Sequence, residues 1–295
     1  ISLMDCYLWY DARIDIGGRR GTPAQENTMA LTITPLTEHI GAEVTGIDLK
    51  QPVDPETATM LQNALVEHVA VVIRDQQFTP AEYLEAVRVF GEPMRQHYSQ
   101  YNMQDFPDIG IVAHRDGRQP ASMWHTDHTN HERPPKATVL YGVSVPSTGG
   151  NTSVANMRAA YAALPDDMKQ RLQGLRTVNT LDGHTQARPE DLEKYGTPVS
   201  HPLVRTHPEH GTQALYFHPT KCQYIEGMTP EDSRTLLEHL LQTAIRPEFV
   251  YRHQWRLGDL LIFDNRCALH RAHGDYDRRE TRLLYRIILQ GDRPV

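Results

Sequence analysis

Cysteine is scarce in this chain: Cys6, Cys222 and Cys267 are the only three among 295 residues, and none forms a CxxC pair. That excludes a disulfide framework and points to a reducing cytoplasm. Basic charge is also short. With 30 Lys and Arg against 37 Asp and Glu the net charge is −7, the wrong sign for a protein whose main partner is nucleic acid or an anionic membrane. Long apolar runs are missing too. The longest, Val69 to Ile73, has the length of a buried strand and falls far short of the roughly 20 residues of a membrane helix. The 39% of hydrophobic residues suit a soluble globular domain with a sizeable core. Histidine, by contrast, is plentiful at 16 residues.

Residues 1–28 lack the apolar stretch of a secretory signal and carry no clear period, so they read as a leader or tag-derived segment. A single catalytic domain is then expected over 29–295. Strands are expected at Leu31–Pro35, within Ala42–Leu49 and at Val69–Ile73, with a helix over 55–68 between the last two. Thr79-Pro80-Ala81-Glu82 is a capping box that starts a helix over 80–90. Residues 93–119 read as a loop over a site, 137–145 as a strand, 157–164 and 165–175 as short helices, and 181–200 as a polar insertion. Thr229 caps a helix whose Leu236, Leu237, Leu240 and Leu241 share one face, either core or dimer contact. Glu248–Arg256, Asp259–Asp264 and Arg282–Gln290 close the chain as strands. Strands without regular βαβ alternation imply an antiparallel sandwich or barrel decorated by helices.

The sharpest local feature is Trp124-His125-Thr126-Asp127-His128-Thr129-Asn130. On or at the end of a strand, period 2 sends His125 and Asp127 to one face. His270 follows the apolar segment Leu260–Phe263 much later. Two histidines and one carboxylate make a facial triad, which suits Fe(II) because it leaves positions open for a chelating cosubstrate and O2. Arg282 and Arg286, four apart on an apolar strand, call for anions if they face one pocket.

His125-Thr126-Asp127, Pro146 to Thr152 (PSTGGNT), His201 to Pro208 (HPLVRTHP), Trp255, Asp264-Asn265-Arg266, His270 and Arg282 together resemble the TauD/TfdA family, the taurine and 2,4-dichlorophenoxyacetate dioxygenases dependent on Fe(II) and 2-oxoglutarate. The likeness runs from about residue 31 to 293. It implies a mainly β fold with flanking helices, a distorted double-stranded β-helix or jelly roll. It also implies His125, Asp127 and His270 as iron ligands, Thr152 and Arg282 on the far carboxylate of 2-oxoglutarate, and Arg286 on the anionic head of the substrate. His97 and Tyr101 fall where the family sets a histidine and a tyrosine over the substrate. The implied reaction couples decarboxylation of 2-oxoglutarate, giving succinate and CO2, to hydroxylation of a small anionic compound. The family usually forms dimers or tetramers.

Ala121 stands where the taurine enzyme has an asparagine that meets the amine, which argues against taurine. His128 and Asn130 are more polar than the apolar residues nearby in that enzyme, which suits a polar or extended substrate. Segments 248–255 and 265–271 look closer to the aryloxyacetate branch. Candidate substrates are sulfonates, sulfate esters and aryloxyalkanoates or other carboxylates. An alternative is an amino-acid-like or acylated carboxylate whose product remains an alcohol. Another class stays open: the same three ligands could serve a Zn(II) hydrolase or a non-catalytic cupin-like metal-binding protein. His114, His131, His184, His201, His207, His210 and His218 read as loop or packing residues, and Trp124 as core.

Overall fold

The two most apolar stretches of the chain lie side by side in a computed structural model that describes residues 30–95, 99–113, 121–181 and 189–295. Strand Leu260–Asp264 pairs antiparallel with Ala70–Ile73 on one edge and with Ala137–Ser144 on the other. Every residue of Ala70–Ile73 and Leu260–Asp264 is buried, so neither strand needs polar alternation. The eight-stranded sheet extends through Ala42–Thr45 to Thr32–Pro35 on one side. On the other it runs through Leu283–Leu289 to Pro93–Met94 and Gly110–Ala113. Among the described residues only Ala42–Thr45 and Ala70–Ile73 pair in parallel, and helix Pro55–His68 supplies the crossover that a parallel pair requires.

Period 2 sorts this sheet into two cores. Val71, Ile73, Val139, Tyr141 and Ile262 face Leu61, Leu65, Tyr83 and Phe90 of the N-terminal helical layer. Val72, Leu140, Leu261 and Phe263 face the other way, toward Val154, Ala155, Ala268 and Leu269. Those last residues belong to a three-stranded sheet in the order Val250–His253, Thr152–Asn156, Ala268–Ala272. The two sheets are the halves of a jelly roll, and neither closes on itself. Helix Pro230–Ala244 lays Leu236, Leu237 and Leu240 into the second core, so the leucine stripe is core.

Several expected elements differ in detail. The helix after the Thr79 capping box is α-helical over Pro80–Ala86 and tightens to a 3-10 turn at Val87–Val89. Segment 93–119, expected as loop, contains the strand Gly110–Ala113, paired with Leu283–Arg286; four residues are too few to show a period. The 181–200 insertion carries helix Pro189–Tyr195 and strand Val199–Pro202. Strands Thr152–Asn156 and Ala268–Ala272 were not expected. Asn156 ends the first and caps helix Met157–Ala162 through Arg158 N and Ala159 N, so strand and helix signals run together there. Among the described residues no helix is long and apolar enough to cross a membrane.

Candidate active site

Backbone pairing brings the two halves of the triad together. His125 N donates to His270 O at 3.0 Å and His270 N donates to His125 O at 2.7 Å, an isolated antiparallel bridge. His125 therefore lies on a bridge rather than within a full strand, while His270 is the middle residue of Ala268–Ala272. Ligand atoms of His125, Asp127 and His270 all lie within 4.8 Å of one another. The His125 and His270 rings are 4.1 Å apart, and Phe263 backs His270 at 4.4 Å.

Asp127 is held by a relay. Asn265 Nδ2 donates to Thr138 Oγ1 at 2.8 Å, and Thr138 Oγ1 donates to Asp127 Oδ2 at 2.6 Å. Burial works to raise the Asp127 pKa, but the Arg286 guanidinium, with Nη1 3.8 Å from Oδ1, and the Thr138 hydrogen bond outweigh it and hold the carboxyl well below its ordinary range. Burial lowers the pKa of His125, and takes that of His270 well down, so both rings are neutral at pH 7. His125 Nδ1 lies 2.9 Å from Met123 O; a hydrogen bond there puts the proton on Nδ1 and leaves Nε2 as a lone-pair donor. Two neutral imidazoles, one carboxylate and a hydrogen-bonded support are the donor set a divalent metal takes.

A buried arginine lies beside the start of strand Thr152–Asn156, which pairs with the strand of His270. Arg282 is 2% exposed; Nε donates to Gly150 O at 2.7 Å, Nη2 to Thr152 Oγ1 at 3.4 Å, and Nη1 has no partner. Burial pushes its pKa down to about 10. Thr152 Oγ1 also accepts from Trp255 Nε1 at 3.1 Å. With two donors pointing at it, the hydroxyl has its own hydrogen left to give. A guanidinium buried without a carboxylate is costly, and an incoming anion relieves that cost.

The family model described as "Taurine catabolism dioxygenase TauD, TfdA family" matches residues 32–288. The chain belongs to the TauD/TfdA family. It is 34% identical over 280 residues to an alpha-ketoglutarate-dependent 2,4-dichlorophenoxyacetate dioxygenase of Cupriavidus pinatubonensis, covering 86% of this chain and 96% of the relative. An alkylsulfatase of Acinetobacter baylyi is 34% identical over 283 residues, 91% of this chain and 87% of that one. The solved structure of AAD-2 in complex with Mn(II) and N-oxalylglycine superposes with a TM-score of 0.78 at 32% identity, over 90% of this chain and 99% of the other. As a family member this protein is a 2-oxoglutarate-dependent dioxygenase, with O2 as the second cosubstrate.

The remaining expected positions fall as follows in this dioxygenase. Tyr101 ends a 3-10 turn at Ser99–Tyr101; its neighbour Asn102 bridges Gly110, which pairs with Arg286. His97, like His114 and His184, lies outside the described residues. Trp124 is buried in the core with Arg271 stacked over it at 5.3 Å. A second cluster, His207, Asp264 and Cys267, is already satisfied internally. Asp264 accepts from Arg266 Nε and Nη2 at 2.9 and 2.6 Å and lies 3.0 Å from His207 Nε2. His207 thus reaches across the fold as well as bonding locally to Glu209 N and His210 N. Sequence reading gave no site role to Trp255, which donates to Thr152, to Lys221, which meets Asn130, or to His218. Trp255 and Lys221 had no ligand spacing to mark them, and His218, set aside as packing, lies 5.9 Å ring to ring from His125.

Proposed function

We propose that the protein is an Fe(II)- and 2-oxoglutarate-dependent dioxygenase that hydroxylates a small anionic organic compound: an aryloxyalkanoate or other carboxylate, a sulfate ester or a sulfonate. The observation that carries the reading is Arg282, buried with an unpartnered Nη1 and joined to Thr152. His125, Asp127 and His270 would hold the iron, which supplies the oxidising chemistry with O2 and 2-oxoglutarate when bound. Met123 O orients His125, and the Thr138 and Asn265 relay keeps Asp127 ionised and aimed. Arg282 and the Thr152 hydroxyl grip the far carboxylate of 2-oxoglutarate, which fixes its direction. Arg286, at 23% side-chain exposure and close to Asp127, takes the acidic head of the substrate and so sets which carbon is attacked, with Tyr101 and His97 as further contacts. Succinate and CO2 are coproducts. Hydroxylation beside a sulfate, sulfonate or aryl ether releases that group with a carbonyl compound, whereas elsewhere it leaves an alcohol.

The relatives named for 2,4-dichlorophenoxyacetate and for alkyl sulfates support the anionic class, and the Mn(II) and N-oxalylglycine complex of AAD-2 supports the pairing of a divalent metal with an oxalyl-type ligand. Succinate release from a panel of aryloxyalkanoates, alkyl sulfates, sulfonates and acylated amino acids tests it under air with Fe(II). We expect His125→Ala and Asp127→Ala to lose turnover by at least about 100-fold, as removal of one of three ligands would require. Arg282→Met should raise the cosubstrate KM, and Arg286→Met the KM for the substrate. Zn-dependent hydrolysis without O2 uptake would sink the reading. We assign catalysis to residues 29–295, so a chain starting at Met29 should keep this turnover. We further assign a cytoplasmic homo-oligomer, for fractionation and light scattering to check.

A further inference from the structure

Tyr276 is only 7% exposed, yet its buried hydroxyl has no hydrogen-bond partner. A phenol left in that state costs free energy that a phenylalanine would not. The segment that carries it is tied to the loop before strand Thr152–Asn156 at three points. His273 N donates to Asn151 O at 2.9 Å, and Gly150 N donates to Asp275 Oδ1 at 3.0 Å. Ser147 gives its N–H and its hydroxyl to Glu280 at 2.6 and 2.9 Å. Asp275, the residue before Tyr276, packs so closely on the loop that a Cβ on Gly149 would sit 2.2 Å from Asp275 O.

Arg282 holds the same loop. Its Nε donates to Gly150 O at 2.7 Å, and its Cδ lies 3.1 Å from where a Gly150 Cβ would stand. The two glycines thus bring the Tyr276 segment up to Arg282. Among the described residues, Tyr276 is also the only side chain that acts electrostatically on the Arg282 guanidinium. Arg282 Nη1 is likewise buried and unpartnered, so the phenol oxygen does not take its N–H. Both groups are donors short of an acceptor, and the Thr152 hydroxyl beside Arg282 is a third. A carboxylate has lone pairs enough for all three, and its charge strengthens each bond.

We propose that Tyr276 is a third donor to the far carboxylate of 2-oxoglutarate, and that with Arg282 and Thr152 it sets the preference for a chelator that carries this carboxylate over one that does not. This rests on the reading of Arg282 and Thr152 as the cosubstrate anchor. The hydroxyl is then a binding group and not a structural one. It contributes to ligand affinity and nothing to the stability of the empty protein.

Tyr276→Phe removes one oxygen and keeps the ring that Arg278 covers at 5.8 Å. Calorimetric titration into protein loaded with Mn(II), the metal of the AAD-2 complex, reads the Kd of 2-oxoglutarate without turnover. Oxalate, which chelates a metal through two oxygens and has no far carboxylate, is the control ligand. We expect Tyr276→Phe to weaken 2-oxoglutarate about 5- to 10-fold, as loss of one hydrogen bond to a charged group implies, and to leave oxalate within about twofold. The melting temperature of the ligand-free variant should equal or exceed that of wild type. Unchanged 2-oxoglutarate affinity in Tyr276→Phe would overturn the proposal. Equal losses for both ligands, or a lower melting temperature, would also overturn it by showing a structural hydroxyl. Arg282→Met reports on the underlying reading: unchanged 2-oxoglutarate affinity there would remove the anchor itself, whereas a loss there with none in Tyr276→Phe would remove only the third donor.

Discussion

At the scale of the residue, what distinguishes the site is polar groups whose hydrogen-bonding capacity is only partly used. Thr152 is the clearest case. Its oxygen receives the Trp255 N–H and, more weakly, Arg282 Nη2, so its hydrogen is the group left to meet a ligand oxygen. On the proposed reading Trp255 is a positioning residue, aiming the Thr152 hydroxyl by the hydrogen bond it donates. Trp255→Phe keeps an aromatic ring against His253, which packs edge-on at 4.5 Å, and removes only the donor. We expect the cosubstrate KM to rise about 5- to 10-fold, the equivalent of one net hydrogen bond of roughly 1 to 1.5 kcal/mol, with a smaller change in kcat. An unchanged KM in steady-state assays would refute this role. The resemblance already implied a role for Thr152, but its partnership with Trp255 was not legible from the sequence, because it spans 103 residues and no local pattern encodes it.

At the scale of the element, glycine decides how closely the loop before strand Thr152–Asn156 approaches Arg282. Gly150 has φ +64°, and a Cβ there would sit 2.8 Å from Pro146 Cγ and 3.1 Å from Arg282 Cδ. Gly150→Ala should therefore displace the guanidinium and weaken 2-oxoglutarate binding at least about tenfold by calorimetry. Gly211, at φ +80° with nothing within 4 Å of a built Cβ, is the control: Gly211→Ala bears a comparable backbone strain of about 1 kcal/mol and should leave 2-oxoglutarate affinity where it was. Equal losses in both variants would mean that backbone strain, not crowding of Arg282, is the cause. Long or strongly capped elements were readable in advance. Helix Pro55–His68 was legible from its apolar spacing and helix Pro230–Ala244 from its Thr229 cap. Strands of four or five residues, such as Gly110–Ala113 and Ala268–Ala272, were not, because their stability comes from partners elsewhere in the sheets.

At the scale of the whole molecule, the surplus of histidine becomes a pH liability. His131 and His201 are buried, and burial, helped by Lys221 and Lys194 in one case and by Arg205 and Arg176 in the other, brings each pKa down to about 4. Unfolded histidine titrates near 6.5, so between these values the unfolded chain binds more protons than the native one, and stability must rise with pH. The stabilisation is full above about pH 6.5 and is lost as pH falls toward 4. We expect the melting temperature to drop steadily from pH 7 to pH 4.5. His201→Gln should flatten that slope by close to one proton, about 1.4 kcal/mol per pH unit. Identical slopes for variant and wild type in calorimetry would show that His201 is not among the groups taking up protons.

The sequence by itself determined the chemistry on offer. Its HxD pair, its later histidine and its two arginines belong to one family pattern, and residue identity carries that information without coordinates. It also determined the capped helices and the most apolar strands, whose signals are local. Tertiary structure alone decided which side chains meet. The bridge between His125 and His270, the Asn265 and Thr138 relay onto Asp127, the burial of Arg282 without a carboxylate, and the approach of His218 to His125 all join residues distant in the chain. The physical reason is that hydrogen-bond satisfaction and burial are properties of neighbours in space, and the jelly roll, not the order of residues, chooses those neighbours.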